Sequence, residues 1–178
     1  GELAVLEGGK NYIKSNVVGL EVEVEFGKMY VDQPLFAEID IFIRNTLGLE
    51  LWDLSKAHWK YLSNSKSGPT KGRLIFGNAL YLRPLEGLET WLNKLSDNQA
   101  KEKLLMLIST SLAYGFLDYV YAILNNTSIS KYIENEDCEE ILTKINSFSK
   151  GFRPFKNGNN FLYKVFHALA SAFKPSIN

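Results

Sequence analysis

The chain has 178 residues, 46% of them hydrophobic and 22% charged, with 20 basic side chains against 20 acidic ones. That is enough apolar material for a core and argues against wholesale disorder, while the zero net charge leaves no electrostatic footprint for nucleic acid. A single cysteine, Cys138, excludes an internal disulfide and fits a cytoplasmic setting, and two histidines, His58 and His167, are too few for a histidine-rich metal site.

Read in chain order, the sequence begins without a basic n-region, so no signal peptide is expected. The absence of an initiating Met suggests a trimmed, tagged or partial reading frame. Residues 2–14 predict a short helix, with Leu3, Leu6 and Tyr12 or Ile13 on one side and the Gly8-Gly9 pair weakening it. Residues 17–26 predict the clearest strand: Val18, Leu20, Val22, Val24 and Phe26 alternate with Glu21, Glu23 and Glu25. Gly27 breaks it. Gln33-Pro34 then opens a helix to Leu47, because proline is tolerated in a first turn where its missing N–H has no partner. Phe36, Ile39, Ile43 and Leu47 recur at helical spacing, and Asp40 and Arg44 form an i,i+4 charge pair. Gly48 ends this helix.

Residues 49–54 predict a short strand, 55–71 an irregular loop rich in Ser, Asn and Gly, and 73–83 a further strand stopped by Pro84. From there the pattern is helical: 85–95, then a long helix capped by Ser96 or Asp97 and ending near Asn125-Asn126, then 132–148, a loop at 151–160, and a short helix at 161–173. The most apolar stretch, 104–124, carries Asp118 and several hydroxyl groups, and reads as a buried core helix rather than a membrane span. A helix between two strands indicates an open α/β sheet, and about three strands are fewer than such sheets hold. A partner completes the sheet, or it is part of a larger one.

Several segments in this order carry a family resemblance. Leu6-Glu7-Gly8-Gly9, the run from Val17 to Phe26, Met29-Tyr30, Gln33-Pro34-Leu35-Phe36 and Leu49-Glu50-Leu51-Trp52-Asp53-Leu54 resemble the FkbM-type S-adenosylmethionine-dependent methyltransferases. His58-Trp59-Lys60 and Gly77-Asn78-Ala79-Leu80-Tyr81-Leu82-Arg83 fit the same pattern. The resemblance covers residues 2–83; the tail is similar to extensions carried by some members. It implies a fold class of α/β: a partial Rossmann-like methyltransferase sheet of about three strands over 2–83, followed by a mainly helical C-terminal extension over 84–178. Residues 17–26 would be the fifth strand of a seven-stranded sheet, with 49–54 and 73–83 the last two and the final strand inserted antiparallel. The family holds S-adenosylmethionine on a glycine-rich turn after its first strand and an acidic residue ending its second. Both would lie upstream of this chain. Glycines 8, 9, 19, 27 and 48 are dispersed instead. The resemblance therefore implies the acceptor-side portion of an O-methyltransferase, inactive in isolation, with no cofactor bound to this chain.

Three glutamates share one face of the 17–26 strand, and open α/β sheets bind ligands beyond the carboxyl ends of their strands. Glu25 and Glu23 are thus catalytic candidates, able to orient an acceptor hydroxyl, act as general base or hold a divalent ion. A solvated face or salt bridges to Lys and Arg is the competing reading. Tyr30 and Gln33 follow in a loop and are substrate-binding candidates; otherwise Tyr30 packs and Gln33 caps the next helix. His58, beside Trp59, Lys60 and Tyr61, is a candidate lining of an acceptor pocket. His167 is structural. Cys138, among Glu136, Asp137, Glu139 and Glu140, should be a poor nucleophile, since acid neighbours raise a thiol pKa. Asp118 is expected in a hydrogen-bonded core or interface position. The expected partners are a second copy, through an open sheet edge or face, and a small-molecule or sugar acceptor, with no nucleic acid and no membrane.

Overall fold

The computed structural model describes residues 1–61 and 72–151. Expectations for 152–178, with His167 among them, and for the loop at 62–71 lie outside the described residues. Helix α1 spans Glu2–Asn16 and leads into strand β1, Gly19–Glu25. Helix α2, Phe36–Phe42, continues directly into a π-helical turn, Ile43–Leu47. Strands β2 (Glu50–Leu54), β3 (Ala57–Trp59) and β4 (Arg73–Leu82) complete one antiparallel sheet. The helices α3 (Leu88–Leu92), α4 (Asp97–Tyr114), α5 (Leu117–Asn125), α6 (Thr127–Ser130) and α7 (Asn135–Gly151) follow.

β4 is the central strand. β1 pairs along one edge, from Gly19 opposite Leu82 to Glu25 opposite Phe76. β2 and then β3 occupy the other edge in turn, β2 against Ala79–Leu82 and β3 against Arg73–Phe76. The last strand is thus inserted antiparallel between the first two. The sheet holds four strands rather than about three, because the loop expected at 55–71 contains β3, a three-residue strand with a register shift between Ala57 and His58. So short and irregular a strand has no period to detect.

Strand alternation sends the two faces of β4 into different cores. Ala79 and Tyr81 join Val22, Val24, Leu6 of α1, Ile39 of α2, and Ile43 and Leu47 of the π turn. Leu80 and Leu82 join Leu88, Leu92, Leu104, Leu107, Ile108, Val120 and Ile123 from the later helices. The sheet is therefore covered by α1 and α2 on one face and by the helices from α3 onward on the other.

Several helix boundaries differ from expectation. Pro34 lies before α2, whose N-cap is Leu35; there Glu38 Oε2 accepts from the Leu35 N–H at 2.9 Å. The long helix expected from Ser96 to Asn126 is two helices. Gly115, at φ 85°, closes α4 in the left-handed region that glycine alone enters without cost. The start of α4 is as expected, with Ser96 as N-cap accepting from the Gln99 N–H at 3.4 Å and Gln99 Oε1 accepting from the Ser96 N–H at 3.2 Å. Asp118, expected in a core or interface, is exposed in the first turn of α5, where a carboxylate suits the helix dipole.

Candidate functional site

The three glutamates of β1 have different environments although they share a face. Glu21 and Glu23 are exposed, and Glu25 is 3% exposed. None of the ion pairs found among the described residues involves any of them. Glu21 Oε2 instead accepts from the Tyr114 hydroxyl at 2.7 Å. Glu25 keeps Oε2 buried with no hydrogen-bond partner among the described residues.

The segment after β1 explains that burial. Gln33 Oε1 accepts from the Met29 N–H at 2.9 Å and the Tyr30 N–H at 3.2 Å, which folds residues 27–33 into a compact turn. Asp32 takes φ 57° within it. Phe26 and Phe36 close the turn, with ring centroids 5.2 Å apart. The Gln33 side chain also lies close enough to Glu25 to favour its charged form. The Glu25 carboxyl is nevertheless held above its ordinary pKa. Burial is the main cause, and the charges of Glu2 and Glu23 add to it, while its own backbone N–H and Gln33 pull the other way. The result is a buried carboxyl at a strand end, with one oxygen left without a hydrogen bond among the described residues.

The structure thus brings Glu25 and Gln33 together, with Glu23 near enough to repel Glu25. Tyr30 enters through its backbone only; its side chain is 72% exposed at the outside of the turn. Gln33 fastens this turn instead of capping α2. His58 is half-buried on β3, not in a loop. Because Phe76 of β4 pairs with both Glu25 and Ala57, His58 lies two strands away from Glu25, about 10 Å at ordinary strand spacing. Cys138 is buried, and burial more than Asp137 or Glu134 pushes its thiol up. Among the described residues no group of three or more His, Cys, Asp or Glu side chains could hold a metal ion.

One polar cluster carried no readable signal. Arg83, 5% exposed, follows β4 and donates from Nε to the Val17 carbonyl at 3.0 Å and from Nη2 to those of Ile13 and Lys14 at 3.2 and 2.7 Å. Its guanidinium lies 4.0 Å from the Trp91 ring centroid, and its own carbonyl accepts from the Tyr119 hydroxyl at 2.6 Å. Burial lowers the guanidinium pKa to about 10, so it stays charged at neutral pH. A cation closing an apolar strand was the only hint in the sequence. The cluster ties α1, β4, α3 and α5 together and touches none of the candidate residues.

Comparison with family models, with curated proteins and with solved structures returned no match. The functional reading therefore rests on the chain's own residues and geometry.

Proposed function

We propose that residues 2–83 are the acceptor-side, C-terminal portion of an FkbM-type S-adenosylmethionine-dependent O-methyltransferase, that 84–178 are a helical extension, and that the chain alone transfers no methyl group. The observation that carries this reading is the strand order β1-β4-β2 with β4 antiparallel to both neighbours. It is the arrangement the resemblance implies for the last three strands. The collection of Glu25, Gln33 and the 27–33 turn at the carboxyl end of β1 adds support, since open α/β sheets place ligands there. In this reading Glu25 orients an acceptor hydroxyl and takes up its proton, and the cytoplasmic setting is the one a single cysteine fits.

The residues present do not fit the cofactor. β1 runs into the turn fastened by Gln33, and β2 runs into Ser55 and β3; neither opens a helix through a glycine-rich turn. No step through S-adenosylmethionine is assigned to this chain. Calorimetric titration with S-adenosylhomocysteine should give no heat, and saturable binding would overturn the inactive-portion reading. The coding sequence upstream of Glu2 should specify a strand, a glycine-rich turn and a helix; their absence would sink the methyltransferase reading itself.

A second reading, a non-catalytic module that self-associates or binds a small ligand, is favoured by the uncovered edge of β1. A strict monomer by light scattering at high protein concentration, with no response to sugars or divalent ions, would count against it. No helix among the described residues is long and apolar enough to cross a membrane.

A further inference from the structure

β1 is an edge strand: β4 pairs along one side of it and no described strand along the other. The register identifies which backbone groups are left over. Arg83 N–H donates to the Val18 carbonyl and Phe26 N–H to the Ile75 carbonyl, so Val18, Leu20, Val22, Val24 and Phe26 point their backbone groups at β4. Those of Gly19, Glu21, Glu23 and Glu25 point to the open side. An open edge of this length is a template for another strand.

Beside that edge runs a groove of about 480 Å³ between β1 and α1. Glu2, Val5 and Leu6 of α1 and Leu20, Glu21 and Glu23 of β1 are among its lining residues. Val5 is 74% exposed there. The described lining carries three carboxylates and no basic side chain.

A strand added antiparallel to β1 would set its residues directly opposite Glu21 and Glu23 on the face those glutamates occupy. Its alternate residues would lie on the α1 face, beside Leu20 and Val22. A second copy of β1 fits poorly, because the antiparallel registers that overlap most of the open groups set Glu against Glu, and like charges directly opposite destabilise. Lys or Arg opposite the glutamates and aliphatic residues between them satisfy both faces.

We propose that the α1–β1 groove binds an extended segment of another polypeptide chain that alternates basic and apolar residues, by adding it as a strand to β1. Main-chain pairing supplies the affinity and the glutamates select the partner. Such binding requires β1 to be an outer edge, so it goes with the reading of the chain as a self-standing module; in a complete methyltransferase sheet an upstream strand would take that edge.

The test uses the full chain labelled for amide hydrogen exchange and a short peptide alternating lysine and valine, with glutamate replacing lysine in the control. The lysine peptide should slow exchange at Gly19, Glu21 and Glu23 by tenfold or more, should weaken with salt, and should outcompete the control. E21K/E23K should lower its affinity about tenfold, given the size of cross-strand charge effects. E23P removes an N–H that β4 does not use and should abolish binding; if it fails to fold, the charge reversal carries the test. Equal binding of the two peptides, or unchanged exchange at these amides, would overturn the proposal. So would protection of the same amides without peptide as protein concentration rises, which would assign the edge to a second copy.

Discussion

The Arg83 guanidinium donates to the Lys14 carbonyl at 2.7 Å, in the last turn of α1. Carbonyls at a helix C-terminus have no intrahelical partner and carry the negative end of the helix dipole. Arg83 answers three of them or their neighbours at once, and Trp91 Nε1 adds a second donor to Lys14 at 3.0 Å. A buried cation that forms no ion pair among the described residues is thereby compensated by carbonyl dipoles and the Trp91 ring. Arg83→Met should cost about 2–4 kcal/mol of stability, because buried acceptors lose a charged donor. Arg83→Lys should recover little, since one ammonium cannot reproduce the fork. Urea unfolding of the three proteins measures this, and a cost under about 0.5 kcal/mol for the Met variant would show that water satisfies the carbonyls equally well.

Glu25 should make stability pH-dependent in a definite direction. Its folded pKa lies above the ordinary value of 4.5, chiefly through burial. A carboxyl raised in this way contributes stability that is full below the unfolded pKa and is lost as pH rises through the folded one. Glu25→Gln removes the titration while keeping an acceptor for Gln33. The variant should therefore melt above the parent at neutral pH, and the gap should close as pH falls toward 4.5. Each pKa unit corresponds to about 1.4 kcal/mol, so the gap reads the size of the shift. A gap that is constant with pH, or a parent that is more stable at neutrality, would contradict the burial argument.

Tyr81 shows the same logic with a satisfied group. Its ring is fully buried, its hydroxyl donates to Asp40 Oδ1 at 3.0 Å, and Asp40 accepts from Arg44 Nε at 2.9 Å. Burial, followed by the Asp40 charge, holds the phenol above its ordinary pKa. Tyr81→Phe should cost about 1–2 kcal/mol, since Asp40 keeps Arg44 and a partial view of water. In a double-mutant cycle with Asp40→Asn the two losses should be less than additive, and full additivity would show that the hydroxyl and the carboxyl act apart.

What the sequence could reveal follows from the range of the forces involved. Alternation at β1 and a cap at Ser96 are local, and both are found where expected. The break at Gly115 was hidden because apolar residues continue on both sides, so periodicity gave no reason to stop. Glu25 and Glu23 could be singled out by their place toward the carboxyl end of the strand, but not the burial of one against the exposure of the other, which depends on the chain packed around them. Arg83 was opaque for the same reason: its carbonyl partners stand 66–70 residues earlier.

Gly77 is the position where the sheet leaves least room. A Cβ there would meet the Ser55 carbonyl oxygen at 2.1 Å, a backbone atom that cannot rotate away. Ser55 is fixed in turn, because its N–H donates to the Asn78 carbonyl at 3.0 Å and its Oγ accepts from the Asn78 N–H at 3.1 Å. The chain passes from β2 to β3 at this point, and the absent side chain lets it cross close to β4. Gly77→Ala should force the crossing outward and cost about 1–3 kcal/mol, the range for overpacking a tight site. Because β3 depends on that crossing, hydrogen exchange at Ala57 and His58 should accelerate more than at Val22 and Val24. Uniform acceleration across the sheet would mean that the contact stabilises the whole fold and has no special hold on β3.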